Sequence, residues 1–321
     1  MKLSVLTVPL YSMNAEDAFK YLSSLGVQAL EIGTGGSPGN THLNAQDFLA
    51  NPSKIDAYME MLAKYNLEIS ALSVHSNHVH PNKEIRDLAH KEFIDTCKLA
   101  QKMGVSTVVT FSGCPGDHPG AKYPNWVTCS WPTDYLEILK YQWEDELVPY
   151  WKGATKEAAE YGINKIALEL HPGFAVYNTS SLLRLRSEVG DAIGANFDPS
   201  HLFWQGINPV EAIKQLKGAI YHFHAKDTKL DAHNVEVNGV LDTGSYGDVL
   251  GRSWLFRTVG YGHDYATWKE IISTLRAVGY DGAISIEHED ALMSVKEGLE
   301  SAIKFLQNVL FFDKPAEMWW A

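Results

Sequence analysis

Acidic and imidazole side chains follow four successive apolar segments in the second half of the chain. These segments end in the stretches IALELHPG, ANFDPSH, YHFHAKD and AISIEHED. A single buried carboxylate is commonly neutralised by one basic neighbour, but several carboxylates that share a small space stay ionised only beside a cation. Three carboxylates with one imidazole make an oxygen-rich site that suits Mn²⁺ or Mg²⁺ and leaves positions open for substrate oxygens. The pattern therefore predicts a divalent-metal site.

These side chains must be positioned by short apolar runs that alternate with helical patterns along the whole chain. The predicted strands are Lys2–Val8, Val27–Ile32, Leu67–Val74, Val105–Phe111, Lys165–Leu170, Ile193–Phe197, Ile220–Ala225 and Ala283–Ile286. The predicted helices are Asn14–Leu25, Ser53–Tyr65, Lys83–Met103, Glu146–Tyr161, Thr179–Val189, Pro209–Leu216, Thr267–Val278 and Val295–Phe311. Such alternation implies a parallel sheet with right-handed crossovers, and eight repeats favour closure over an open sheet. We expect an α/β fold, a single (β/α)8 TIM barrel domain spanning residues 1–321.

Two of the connecting segments are much longer than the others. Ser112–Glu144 follows the fourth predicted strand and Asp227–Tyr265 follows the seventh. Both lie after the carboxyl ends of strands, which is the face where TIM barrels place their active sites. Loops of this length commonly serve as lids or partner surfaces.

Composition excludes several classes of protein. The chain is 45% hydrophobic and 21% charged, as in ordinary globular proteins, and its formal charge of −12 argues against nucleic acid or anionic membranes as partners. The three cysteines, Cys97, Cys114 and Cys129, lack the spacing of a zinc or redox site and indicate free thiols. Because the first residues resemble neither a signal peptide nor a membrane span, we expect a cytoplasmic protein that acts on a small molecule.

The order Glu, Asp-x-x-His, His-x-His, Glu on the fifth to eighth predicted strands resembles the sugar phosphate isomerase/epimerase family, the xylose isomerase-like TIM barrels, over essentially the whole chain. The resemblance assigns the metal ligands to Glu169, Asp198, His224 and Glu287. It implies that Glu169 and Glu287 also exchange the proton of the substrate carbon, and that His201 binds substrate. It further implies one divalent ion, Mn²⁺ in the first place, with Mg²⁺ or Co²⁺ as alternatives.

The chemistry agrees with this resemblance. A divalent cation beside a carbonyl and its neighbouring hydroxyl favours loss of the adjacent proton, and a positioned carboxylate accelerates that transfer by roughly 10²–10⁴-fold. A carboxylate alone is too weak a base for the α-proton of a free ketose. We therefore predict isomerisation or epimerisation of a keto-sugar or an oxidised sugar derivative.

The sequence departs from the epimerase pattern in two places. Glu169 is followed by LHPGFAVYN where typical epimerases have an Asn-Arg-Phe-Glu stretch, and Lys226 stands near the place of an arginine. His171 is therefore a candidate for a further acid or base. Other candidate substrate contacts are His75, Glu31, Lys226 and Arg257. For Glu31, pairing with a basic neighbour is an equal alternative.

Three other functions remain open. Similar sequences include catalytic subunits of C-glycoside deglycosidases, lyases that deprotonate a 3-oxo-glycoside, expel the aglycone by β-elimination and work with a small β-type subunit. An abasic-site endonuclease of this superfamily would need further metal ligands; SVHSNHVHP offers histidines, but the fourth predicted strand ends in Phe-Ser-Gly. The barrel could also have lost catalysis and serve as a sugar-binding or scaffold protein.

The terminal stretch FFDKPAEMWWA places two aromatic rings, Trp319 and Trp320, at the end of the chain. Exposed aromatic patches seldom persist without a partner. We therefore expect a homo-oligomer, or a hetero-oligomer with a small β-type subunit if the protein is a deglycosidase.

Overall fold

Eight parallel strands close a barrel in the computed structural model, which describes residues 1–320. The barrel strands are β1 (Lys2–Leu6), β2 (Ala29–Gly33), β3 (Glu68–Ser73), β4 (Thr107–Thr110), β5 (Lys165–Glu169), β6 (Ile193–Phe197), β7 (Ile220–Ala225) and β10 (Ala283–Ile286), and β8 (Asp227–Leu230) pairs with β9 (Trp254–Arg257) as a separate antiparallel hairpin. The order around the barrel is β1-β10-β7-β6-β5-β4-β3-β2. The predicted TIM barrel and its eight strands are confirmed.

Helices surround the barrel and line its upper rim. They are α1 (Ala15–Ser24), α2 (Ala45–Ala50), α3 (Ser53–Lys64), α4 (Lys83–Met103), α5 (Asp134–Tyr141), α6 (Val148–Glu160), α7 (Thr179–Val189), α8 (Pro199–Phe203), α9 (Pro209–Gln215), α10 (Ala232–Asn238), α11 (Tyr265–Ala277) and α12 (Val295–Gln307). A π-helical turn, Gln142–Leu147, joins α5 to α6. Residues 134–144, which the sequence predicted to be part of a loop, are therefore helical. None of the α5 residues is fully buried, although Leu139 packs against the core.

Local signals set the helix boundaries. Asn14, Asn178 and Asn208 each accept a hydrogen bond from a backbone N–H in the first turn of the following helix. Gly104 ends α4 with φ of 70°, a left-handed conformation that residues with a Cβ rarely adopt. The asparagine caps thus mark where three helices begin, and Gly104 marks where α4 ends before β4.

Strand register brings the carboxyl ends of β5, β6, β7 and β10 together. Glu169 lies opposite Asn196, and Ser285 lies opposite His224. Leu30 and Ile32 of β2 point outward into the apolar layer beneath the helices, whereas Glu31 between them points into the barrel. The barrel interior is therefore polar on the face that leads to its mouth.

The long segment after β7 is folded and not an open loop. It contains α10 and the hairpin of β8 and β9, whose register pairs Thr228 with Phe256. Within residues 1–320, no helix combines the length and apolar character needed to cross a membrane.

Candidate active site

Four side chains converge at the mouth of the barrel, each from a different strand end. Glu169 ends β5, Asp198 follows β6, His224 lies on β7 and Glu287 follows β10. One ligating atom of each lies within 4.8 Å of the other three. Three of the four side chains are buried and Glu287 is half-buried. The structure thus gathers the four residues that the sequence assigned to a metal.

Two atoms of this cluster are buried without a hydrogen-bond partner among the described residues. They are Asp198 Oδ2 and His224 Nδ1. The other oxygen of Asp198, Oδ1, accepts the Ser200 N–H at 2.8 Å and caps α8, which fixes the direction of the carboxylate. Each atom has a charged neighbour, Lys226 Nζ at 3.2 Å from Asp198 Oδ2 and Glu287 Oε2 at 3.0 Å from His224 Nδ1, but neither makes a hydrogen bond. Buried polar atoms are normally hydrogen-bonded, so two such atoms in the same small space point to a missing ligand. Three oxygens and one nitrogen fit a divalent cation.

The charges at the cluster do not balance. Burial, opposed by Lys226 and reinforced by Glu169 and Glu287, raises the pKa of Asp198 to about 7. Burial would also raise the pKa of Glu287, but Lys226 and His224 lower it to about 2. Three carboxylates share one permanently charged lysine, so a divalent cation would allow all of them to stay ionised.

A buried network beneath the cluster orients His224. Its Nε2 donates to Glu31 Oε2 at 2.9 Å, and His222 Nε2 donates to the same oxygen at 2.9 Å. Ser285 Oγ donates to Glu31 at 2.7 Å and Ser73 Oγ donates to its other oxygen. Because Nε2 carries the proton of this bond, Nδ1 of His224 is the nitrogen that faces the four-residue cluster and could serve as a metal ligand.

This network decides between the two expectations for Glu31. The side chain is 0% exposed, and its oxygens are occupied by the two histidines and two serines. Burial alone would raise the pKa of Glu31, but His224 and His222 hold it well below its usual range. The predicted contact of Glu31 with substrate is therefore replaced by the alternative, pairing with basic neighbours.

Lys226 is buried against the cluster. Its Nζ donates to Glu287 Oε2 at 2.7 Å and to Glu289 Oε2 at 3.0 Å, and it lies 3.2 Å from Asp198 Oδ2. The ammonium also lies 4.5 Å from the centre of the Phe256 ring. Lys226 stands where it could reach a substrate oxygen. The contribution of Glu289 was not predicted, although the sequence placed it among the acidic residues after the last strand.

A cavity of about 160 Å³, called here the catalytic cavity, opens above the cluster. Its walls are Leu6, Val8, Ser37, Pro38, His75, Phe111, Glu169, His171, Lys226, Glu287 and Glu289. The sequence predicted His75 as a pocket residue, and its Nε2 lies 2.9 Å from Glu169 Oε2. The two carboxylates predicted to exchange protons border the same space.

Two further predicted histidines lie side by side, and one of them, His171, lines this cavity. His201 and His171 have ring centres 4.0 Å apart. His201 Nε2 donates to Glu169 Oε1 at 3.0 Å, and burial lowers the pKa of His201 to about 3. His171 Nδ1 donates to the Pro172 carbonyl at 2.5 Å, which leaves Nε2 as the ring's other nitrogen for chemistry. Burial lowers the pKa of His171 as well.

Arg257 does not reach the catalytic cavity, which corrects its predicted role in binding substrate. Side chains alternate along β9, so Phe256 faces the cavities and Arg257 faces the other way. Arg257 Nε donates to Asp290 Oδ2 at 3.0 Å, and the same oxygen accepts the Thr258 N–H. Arg257 therefore fixes the hairpin to the loop after β10.

The histidines after β3 do not form a second metal site. His78 Nε2 donates to Thr110 Oγ1 at 2.8 Å, and its ring stacks on Tyr150 with centres 5.6 Å apart. Burial, with His90 and His75, lowers the pKa of His78 to about 3. No metal-capable cluster found within residues 1–320 includes His78. The endonuclease alternative therefore lacks this support.

Comparison with known proteins agrees with this geometry. Residues 19–309 match the model of the xylose isomerase-like TIM barrel. The uncharacterized protein YfiH of Bacillus subtilis (strain 168) is 39% identical over 315 residues, covering 97% of this chain and 99% of that one. The structure is similar to the probable 3-DHS dehydratase AsbF of Bacillus anthracis (TM-score 0.67, 20% identity, 96% and 99% of the two chains). It is also similar to the IOLI protein with a bound zinc atom (TM-score 0.66, 20% identity, 97% and 98%).

Proposed function

Because the chain belongs to the xylose isomerase-like TIM barrel family, we propose that it is a divalent-metal-dependent isomerase or epimerase. Its reaction would remove the proton next to the carbonyl of a keto-sugar or an oxidised sugar derivative. The observation that carries this proposal is that Glu169 and Glu287 border both the four-residue cluster and the catalytic cavity. Two carboxylates on opposite sides of a substrate carbon can remove a proton from one face and return a proton to the same face or to the opposite face.

Neighbouring side chains hold the two carboxylates in position for this proton transfer. Glu169 is held by His201 and His75, and Glu287 by Lys226 and His224. When the C–H bond breaks, the proton goes to one carboxylate and the electron pair moves toward the carbonyl oxygen. Lys226 is placed to donate a hydrogen bond to an oxygen that gains charge. A bound cation would supply Lewis-acid polarisation of the carbonyl.

We infer Mn²⁺ as the ion, with Mg²⁺ and Co²⁺ as alternatives. Three of the four ligands offer oxygen, which favours hard or intermediate divalent ions. Zinc is included in the test because the IOLI protein carries a zinc atom.

A second candidate is β-elimination from a 3-oxo-glycoside or a related substrate. The same deprotonation starts it, but the bond to the substituent at the next carbon then breaks, and the departing atom takes a proton. Two observations favour it: a second cavity adjoins the catalytic cavity at His171, and AsbF is a probable dehydratase. His171, once protonated, is positioned for the transfer to the departing atom.

The deprotonation step is tested by solvent deuterium exchange. Keto-sugars and 3-oxo-glycosides are incubated with the Mn²⁺-loaded protein in D₂O and followed by NMR. We expect Glu287→Gln to slow exchange by at least ~10²-fold, because an amide cannot accept the proton. Glu297→Gln, an exposed change on α12, should leave the rate unchanged.

Exchange at the wild-type rate in a folded Glu287→Gln variant would contradict the role of this base. The products separate the two candidates: an isomer of the substrate indicates isomerisation or epimerisation, and a released substituent indicates elimination.

The metal site is tested by the metal content of the purified protein. We expect about one ion per chain by mass spectrometry after Mn²⁺ is supplied, and its loss in Asp198→Asn. This variant keeps an oxygen to cap α8 but removes the charge. Asp56→Asn, on the exposed face of α3, is the matched control. Binding of no metal by the wild-type protein would overturn the proposal.

A further inference from the structure

We infer that a second, aromatic cavity beside the catalytic cavity binds a neutral ring carried by the substrate, so that the substrate is a ring-bearing glycoside and not a free monosaccharide. This inference rests on the proposed function only for where the sugar ring lies. Four observations support it: the walls of the cavity, its unsatisfied donors, its connection to the catalytic cavity and the absence of an available charge.

The walls of this aromatic cavity, of about 240 Å³, are built from two loops and the strand ends. The aromatic residues that line it are Trp126, Trp204, Tyr246, Trp254 and Phe256. Trp204 stacks on Trp254 with centres 4.7 Å apart and planes 5° apart, and Phe256 packs against Trp254 at 5.1 Å. Both tryptophans are 5% exposed. These contacts hold the flat surfaces in place, as a preorganised binding site requires.

Two indole N–H groups in this cavity are buried without a hydrogen-bond partner in the described part of the chain. They belong to Trp126 and Trp204. Three other buried tryptophans are satisfied: Trp151 donates to the Ser112 carbonyl, Trp254 to the Val240 carbonyl and Trp268 to Asp227. Since buried donors are rarely left unmet, the two orphaned groups point to acceptor atoms on a ligand.

The aromatic cavity adjoins the catalytic cavity at His171. His171 lines both of them, and His201 lines the aromatic cavity while its Nε2 donates to Glu169. Each cavity alone is smaller than the ~300–1,000 Å³ of most ligand pockets, but together they reach that range. At ~30 Å³ for each water molecule, the aromatic cavity has the volume of about eight waters, which suits one ring. A ligand joined at His171 would fill both.

The cavity offers no free charged side chain to pair with a charged group on a ligand. Asp242 is its one carboxylate, and its oxygens accept the backbone N–H groups of Gly244 and Ser253. Arg252 lies behind the walls, over the rings of Tyr246 and Trp254. A neutral ring with a flat apolar face and hydrogen-bond acceptors fits this surface. An aromatic ring and a second sugar ring share that chemistry, and the test separates them.

The test measures binding of unoxidised glycosides to the full, Mn²⁺-loaded chain by calorimetry and tryptophan fluorescence. The probes are methyl β-glucoside, phenyl β-glucoside and cellobiose. We expect at least one of the two ring-bearing compounds to bind about tenfold tighter than the methyl glucoside. Preference for the phenyl compound would assign the cavity to an aromatic ring, and preference for cellobiose to a sugar.

Two variants attribute the preference to this cavity. Trp204→Phe keeps an aromatic ring and removes the N–H, and Phe256→Leu keeps apolar volume and removes the flat face. Each should reduce the preference to about threefold or less, whereas Trp320→Phe, an exposed change near the chain end, should not alter it. Circular dichroism and thermal unfolding check that the variants fold.

Equal affinity for the methyl and ring-bearing glycosides, or no detectable binding of either ring-bearing compound, would overturn the inference. So would an unchanged preference in both cavity variants. These glycosides carry no carbonyl and cannot undergo the proposed deprotonation. A ring preference without deuterium exchange would therefore contradict only the proposed function, and exchange without a ring preference would contradict only this inference.

Discussion

His224 connects two groups of side chains that do different work. Its Nε2 is bound by Glu31 in the barrel interior, and its Nδ1 lies 3.0 Å from Glu287 Oε2 at the mouth. Burial alone would lower the pKa of His224, but Glu31 and Glu287 raise it well above its usual range. A cation at the cluster would take the place of the proton on Nδ1. Glu31 is thus a positioning residue for His224, the proposed metal ligand.

We predict that Glu31→Gln weakens Mn²⁺ binding by about 10- to 100-fold, the usual cost of losing a hydrogen-bond partner behind a metal-bound histidine. The amide keeps the size of the side chain but loses the charge that orients both histidines. Affinity is measured by competition with a fluorescent chelator, with Glu297→Gln as the exposed control. Wild-type affinity in a folded Glu31→Gln protein would show that His224 needs no such partner.

At the scale of elements, one carboxylate ties the end of β7 to the end of the long segment that follows it. Asp227 Oδ2 accepts the backbone N–H groups of Gly260, Gly262 and His263 at 2.9–3.1 Å and the Trp268 indole N–H at 3.2 Å. Its Oδ1 accepts the His263 Nδ1 proton at 2.7 Å. The sequence marked Asp227 as metal-capable, but the structure turns it away from the cluster to fix the loop.

Asp227→Ala should destabilise the protein by at least ~3 kcal/mol, because several buried donors would lose an ionised acceptor at about 1–3 kcal/mol each. Asp227→Asn keeps one acceptor oxygen and should cost less. Urea unfolding measures both, and Asp56→Ala on an exposed helix face serves as the control. A change within ~0.5 kcal/mol for Asp227→Ala, the range of an ordinary surface substitution, would refute this account of the loop.

At the scale of the whole molecule, the structure leaves large apolar groups near the end of the chain on the surface. Trp319 is 88% exposed and Trp320 is 68% exposed, and Phe311 and Phe312 are 43% and 46% exposed. Exposed apolar clusters of this kind commonly mark an interface. The homo-oligomer, and the small second subunit of the elimination alternative, stay predictions.

For the oligomer, we expect the wild-type protein to sediment as more than a monomer at micromolar concentration. The double variant Trp319→Ser, Trp320→Ser should shift the distribution toward the monomer, because it removes the exposed rings. Trp131→Ser, at a 75% exposed position on another loop, is the control. A wild-type protein that is monomeric across the concentration range would remove the reason for assigning these tryptophans to an interface.

The sequence by itself determined the order of strands and helices and the closed barrel, which follow from local signals: apolar runs, caps at helix ends, alternation along strands and the gathering of parallel strand ends at one face. The choice of Glu169, Asp198, His224 and Glu287 among the acidic and imidazole residues at those strand ends came from the resemblance to a known family. The helix α5 was predicted to be loop, although Tyr135, Ile138 and Leu139 have the spacing of one helix face.

Only the tertiary structure decided which side chains meet across the barrel and across the hairpin. Glu31 pairs with His224, 193 positions away, and so it orients the proposed metal ligand and does not contact the substrate. The register of β8 with β9 turns Phe256 toward the cavities and Arg257 away from them. The aromatic cavity likewise joins Trp126 to Trp204 and Trp254 from separate segments. Local patterns specify the face of a strand on which a side chain lies, but barrel closure and loop packing choose its partners.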